Sequence, residues 1–158
     1  MKPTRIFGAA LLIAGTHSAP VLGDDPQSAL RQFGLIGTWS SDSSKDISQP
    51  RVSRLTFAAS PEGGAKATAE DGRGDVVITT VYDIAEAATP ADDKIKIAFR
   101  VATVTRSDGK AAAQSDYSNV TIVFQKAGER IEATAIQFEG LPEIERAIFF
   151  EKCPAPTH

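Results

Sequence analysis

The 158-residue chain has one cysteine, one methionine, one tryptophan and two histidines, and each scarcity removes a class of protein. Cys153 has no second cysteine to pair with, so the fold must be held by packing rather than by an internal cross-link. The histidines, His17 and His158, stand toward the two ends and leave the body of the chain without an imidazole. That excludes the usual serine or cysteine triad and most zinc sites. No glycine-rich loop separates a strand-like segment from a helical one, so nucleotide binding has no motif and no cofactor is expected. The acidic pairs Asp92-Asp93 and Glu143-Ile144-Glu145 read as solvated loop charge. Asp71 to Asp75 lacks the alternating ligands and distal glutamate of a calcium loop, so no metal site is expected either. With no catalytic constellation in view, a non-enzymatic role is the expectation.

What is present begins with an export signal. Lys2 and Arg5 precede an uncharged apolar run from Ile6 to Gly15, which is too short to span a bilayer. Val21 and Gly23 fit the small side chains a signal peptidase selects, so cleavage before Asp24 and a periplasmic or secreted location are expected. Removing residues 1–23 leaves 158 − 23 = 135 residues, one domain by size, and no membrane span in the mature chain. The leader carries two basic residues and no acidic one, so the formal charge moves from −3 to −5. An acidic surface argues against a nucleic-acid partner.

Within residues 24–158 the first signal is helical. Asp25-Pro26 before Gln27 to Phe33, with Gly34 after them, supplies a cap, a first-turn proline and a terminating glycine. From Leu35 onward the period changes to two. In Lys94 to Arg106, Ile95, Ile97, Phe99 and Val101 alternate with Lys94, Lys96, Ala98 and Arg100, the clearest strand in the chain. Similar patterns occupy 51–59, 65–70, 75–84, 117–126, 129–138 and 145–152, with glycine-bearing turns between most of them. Counting the segment of Trp39, about eight strands result. The alanine-rich stretches Ala85 to Ala88 and Ala111 to Ala113 read as loops or single turns, because alanine favours helix over strand. Short strands at regular spacing, with only one short helix, predict an all-β antiparallel barrel of up-and-down order.

Gly37-Thr38-Trp39, at the first strand after a short helix, resembles the Gly-x-Trp signature of the lipocalin and wider calycin families. Ser115-Asp116-Tyr117 is similar to the later Thr-Asp-Tyr motif of lipocalins. The resemblance implies an eight-stranded barrel whose closed end is held by Gly37, Trp39, Asp116 and Tyr117, with a basic side chain, Arg146 or Arg130, over the indole. These roles are structural. Gly34 to Ser40 also resembles the first strand of avidins, which rely on further tryptophans for biotin; this chain has none. Small periplasmic metalloprotease inhibitors share such a barrel, and the comparison makes Asp24 to Phe33 the segment that enters a protease. Small proteobacterial periplasmic proteins opening Gly-x-Trp-x-x-Asp-Cys are similar too, with Ser43 standing where a partner for Cys153 would be.

Two functions follow. In the first, the barrel is a binding protein in which Ile95, Ile97, Phe99, Val101, Ile122 and Phe124 line a pocket for a small apolar molecule, and Ala98, Ala133 and Ala135 leave it space. In the second, the chain binds a periplasmic protein through its N-terminal segment or an exposed edge, with Phe33, Leu141 and Phe149-Phe150 as anchors. Adjacent strand residues point to opposite faces, so Phe149 and Phe150 cannot both be inside. Cys153 adds a route to a disulfide-linked dimer.

Overall fold

The computed structural model describes residues 25–112 and 117–154. The expected signal segment, Ser115 and Asp116 lie outside them. One helix, α1 (Pro26–Phe33), precedes eight strands: β1 (Gly37–Ser40), β2 (Ser53–Ala59), β3 (Ala65–Gly72), β4 (Val77–Ala91), β5 (Lys94–Arg106), β6 (Asn119–Ala127), β7 (Arg130–Phe138) and β8 (Ile144–Lys152). Each strand pairs antiparallel with the next, and β8 returns to β1, so the sheet is a closed up-and-down barrel. Among the described residues no helix is long and apolar enough to cross a membrane.

The helix forms where its punctuation places it. Pro26 occupies the first turn, and Gly34 ends the helix at φ 84°, its N–H donating to the carbonyls of Leu30 and Arg31. Asp25 does not cap a backbone N–H; its carboxylate accepts from Ser28 Oγ at 3.5 Å. Ala29, Leu30 and Phe33 form one buried face, and α1 packs chiefly against β4 as a plug over one barrel end. The tight turns after β2, β4 and β6 share that end. The connections 41–52, 73–76 and 139–143 share the other.

Helix docking also explains a correction. Ala85 to Ala88 belong to β4 rather than to a loop, paired with β5 through Ala87↔Ile97 and Ala88↔Lys96. Ala87 is buried in the core that α1 joins, where a small side chain lets the helix approach. Strand pairing here outweighs alanine's weak intrinsic preference.

The interior is filled by large side chains opposite small ones. Phe57 stands across from Ala67, and Phe124 across from Ala133. Phe57 meets Phe124 edge-on with ring centres 5.9 Å apart, and Tyr82 meets Phe99 edge-on at 5.5 Å. Bulges interrupt β4, β5, β7 and β8, skipping Ala85, Ala102, Thr134 and the pair Arg146-Ala147 in the ladder. Each changes which residues face inward beyond it.

Closure is thin. β1 pairs with β8 only through Trp39↔Lys152 and Ser40↔Glu151, extended by the Cys153 N–H donating to the Thr38 carbonyl at 2.8 Å. Residues 144–150 of β8 therefore have β7 on one side and no described strand on the other.

Candidate functional site

The six residues expected to line an apolar pocket are not one site. Ile95, Ile97, Phe99 and Phe124 are buried, and Ile122 is partly buried against the same core. Only Phe99, Ile122 and Phe124 border the internal void, with Leu55, Ala67, Ala69, Tyr82 and Val120. The void measures about 50 Å³. Ligand pockets run to roughly 300–1,000 Å³, so the barrel is a packed core. Ala133 is buried under Phe124, and Ala135, also buried, borders the outer concavity beside Arg146 rather than an interior cavity. Val101 sits elsewhere, in a shallow hollow with Val104, Ala112 and Tyr117 near the open end.

Trp39 is buried, and its Nε1–H donates to the Leu35 carbonyl at 2.8 Å. This bond ties β1 to the segment leaving α1. Lys152, its register partner on β8, holds Nζ 5.3 Å from the centre of the ring. The cation over the indole is thus Lys152, not Arg146. Arg146 lies in the β8 bulge and is exposed on the outer face beside Glu132, Glu143 and Glu145. Arg130 is not over the ring either, being paired with Glu151 at 2.6 Å. Gly37 has φ 123°, a backbone conformation that disfavours other side chains, and Lys152 Cε lies 3.5 Å from where its Cβ would be. Tyr117 packs on Phe138 with ring centres 4.9 Å apart, at the end of the barrel away from α1. Gly37 and Trp39 are therefore brought together with Lys152, and Tyr117 is not.

The larger concavity lies on the outside of the plugged end. A groove of about 650 Å³ runs between the end of α1, the β6–β7 turn and the end of β8, and Trp39 reaches its wall. Phe33, Trp39 and Ile131 form its nearly buried floor, each 5% exposed or less, and Lys126, Arg130 and Lys152 supply cations opposite Glu129 and Glu151. Lys126 Nζ lies 4.5 Å from the centre of the Phe33 ring. Glu151 accepts from Ser43 Oγ at 3.2 Å as well as from Arg130. Ser43 thus meets β8 at Glu151.

Lys126 and Lys152 were missed in the sequence because each lies in the last two positions of its strand, where alternation reads as solvent charge. The usable signal was closure. Lys152 falls two residues after inward-facing Phe150, in the strand that must meet the Trp39 strand. Sequence reasoning did place the aromatic pair: Phe150 is buried and Phe149 is 48% exposed.

No protein-family model, curated protein or solved structure matches this chain. The eight-stranded antiparallel barrel is compatible with a calycin-like fold.

Proposed function

We propose that the chain is an exported, non-enzymatic β-barrel binding protein that takes a small ligand in the groove beside Trp39 and not inside the barrel. One observation carries this reading: the interior void is about 50 Å³, whereas the groove at the plugged end is about 650 Å³ and mixes rings with charged side chains. Pockets that bind small molecules combine an apolar surface with a few placed polar groups. An apolar ligand of the barrel interior has no room without displacing Phe99 or Phe124. Kinship with calycins, suggested by Gly37 and Trp39, agrees with a binding role but does not choose the ligand.

Native mass spectrometry of protein purified from its own compartment tests the reading. A co-purifying small molecule, mapped by amide shifts to residues 126–131 and 151–152, is the expected result. Shifts confined to Leu55, Tyr82 and Ile122 overturn the placement.

A second reading, a protein-interaction module, is favoured by β8. Leu141, Ile144 and Phe149 are the exposed large hydrophobic residues among those described, and all three lie on or just before this strand. The N-terminal route fits less well, because Leu30 and Phe33 are committed to the barrel. A co-purifying protein whose binding is lost on Phe149→Ser, with the groove unaffected, selects this reading.

A further inference from the structure

The groove also constrains the class of its ligand, an inference that rests on the groove being the binding site. Lys126, Arg130 and Lys152 face Glu129 and Glu151 there. Glu151 is engaged twice, by Arg130 at 2.6 Å and by Ser43 at 3.2 Å, so it offsets the arginine and is not free for a lysine. Among the described residues neither Lys126 nor Lys152 has an acidic partner within 4.0 Å, and each ammonium lies over a ring instead. A ring face positions a cation without neutralising it. The whole chain carries a formal charge of −3, so a concavity whose lining sets three cations against two carboxylates, a net of one positive charge, runs against the prevailing sign.

We propose that the groove binds a small organic anion, a carboxylate on a short apolar body. Lys126 and Lys152 take the carboxylate, and the apolar body lies in the groove over its floor of Phe33, Trp39 and Ile131, each 5% exposed or less. The rings have a second consequence. They hold both lysine stems before the ligand arrives, which lowers the ordering cost of a charge-assisted contact. A cationic ligand meets two like charges, and a bare inorganic anion gains nothing from the apolar wall. The ligand class is thus set by two features together, neither of which suffices alone.

Trp39 is the sole tryptophan, so its fluorescence reports on Lys152 directly. The full chain is titrated with octanoate, with octanol as the neutral analogue and with inorganic phosphate as the headgroup alone. Octanoate is expected to saturate, and to bind at least about tenfold more tightly than either control, the scale of one charge-assisted hydrogen bond. Lys126→Met and Lys152→Met keep the stems and remove the charges, so each weakens octanoate severalfold while far-UV circular dichroism stays that of the folded chain and the melting temperature falls only by the few degrees that loss of one cation–ring contact brings. Raising the salt concentration weakens octanoate binding to the unaltered chain, a readout that needs no variant. Equal affinity for octanol and octanoate overturns the anion proposal and leaves the groove reading standing. Octanoate affinity unchanged in the folded double variant, or insensitive to salt, also overturns it. Absence of saturation with all three probes, with no amide shifts at 126–131, removes the groove reading as well.

Discussion

Replacing Trp39 separates two contributions that the structure assigns to one side chain. The indole is buried, its N–H is bonded to the Leu35 carbonyl at 2.8 Å, and Leu35 is fully buried. Burial of a large aromatic removes about 150–250 Å² from water, worth roughly 4–6 kcal/mol at about 25 cal/mol per Å². The unfolded chain already hides part of that area, so Trp39→Ala is expected to cost about 3–5 kcal/mol. Trp39→Phe keeps most of the ring but leaves the Leu35 carbonyl without its donor, at about 1–3 kcal/mol. Urea unfolding followed by far-UV circular dichroism measures both, since the variants have no tryptophan to follow. The slopes should match that of the unaltered chain, because the same surface is exposed on unfolding. A cost below about 1 kcal/mol for Trp39→Ala refutes burial of the ring. A cost near zero for Trp39→Phe refutes the separate worth of the hydrogen bond.

Phe150→Ala should destabilise by about 3–5 kcal/mol and Phe149→Ala by under about 0.5 kcal/mol, checked by chemical unfolding, because only Phe150 faces the core. Gly72→Ala places a methyl group against the carbonyl oxygens of Ile47 and Gln49, where the Gly72 N–H also donates to Val52 at 2.8 Å. Faster amide exchange across 47–52 is the expected sign that loop 41–52 has been pushed off β3. Lys45 and Ser44 hold the Asp42 carboxyl at about 2, below its ordinary 3.8. Because the folded value is depressed, this stabilisation is complete above about pH 4 and is lost as the pH falls toward 2. In stability measured against pH, the gap between the unaltered chain and Asp42→Asn should therefore close over that range, and a gap that persists at pH 2 contradicts the pairing.

Much of the wall was legible locally. Ile95, Ile97 and Phe99 face the interior as their alternation with lysines and alanine requires, and Gly63, Gly64, Gly74, Gly109 and Gly128 fall between strands, whereas Gly72 belongs to β3 and pairs with Val77. Ala85 to Ala88 were not legible, because the partner that makes them a strand is Ile97 and its neighbours across a hairpin, and the reason for small side chains is a helix some 55 positions earlier. Arg146 was chosen to cover Trp39 by type and order in the chain. The β8 bulge turns it outward, and register gives that place to Lys152.

The sequence by itself determined the all-β class, the short leading helix, the antiparallel order and the split between Phe149 and Phe150, since each depends on periodicity or turn chemistry within a few residues. Tertiary structure alone decided that the barrel is filled, that Lys152 stands over the tryptophan, and that the larger concavity lies outside the plugged end. Those outcomes depend on volume and on contacts between residues far apart in the chain. A two-residue period specifies which face a side chain takes, but bulges reset that face, and whether a void remains is fixed only when all eight strands and the helix have closed around it.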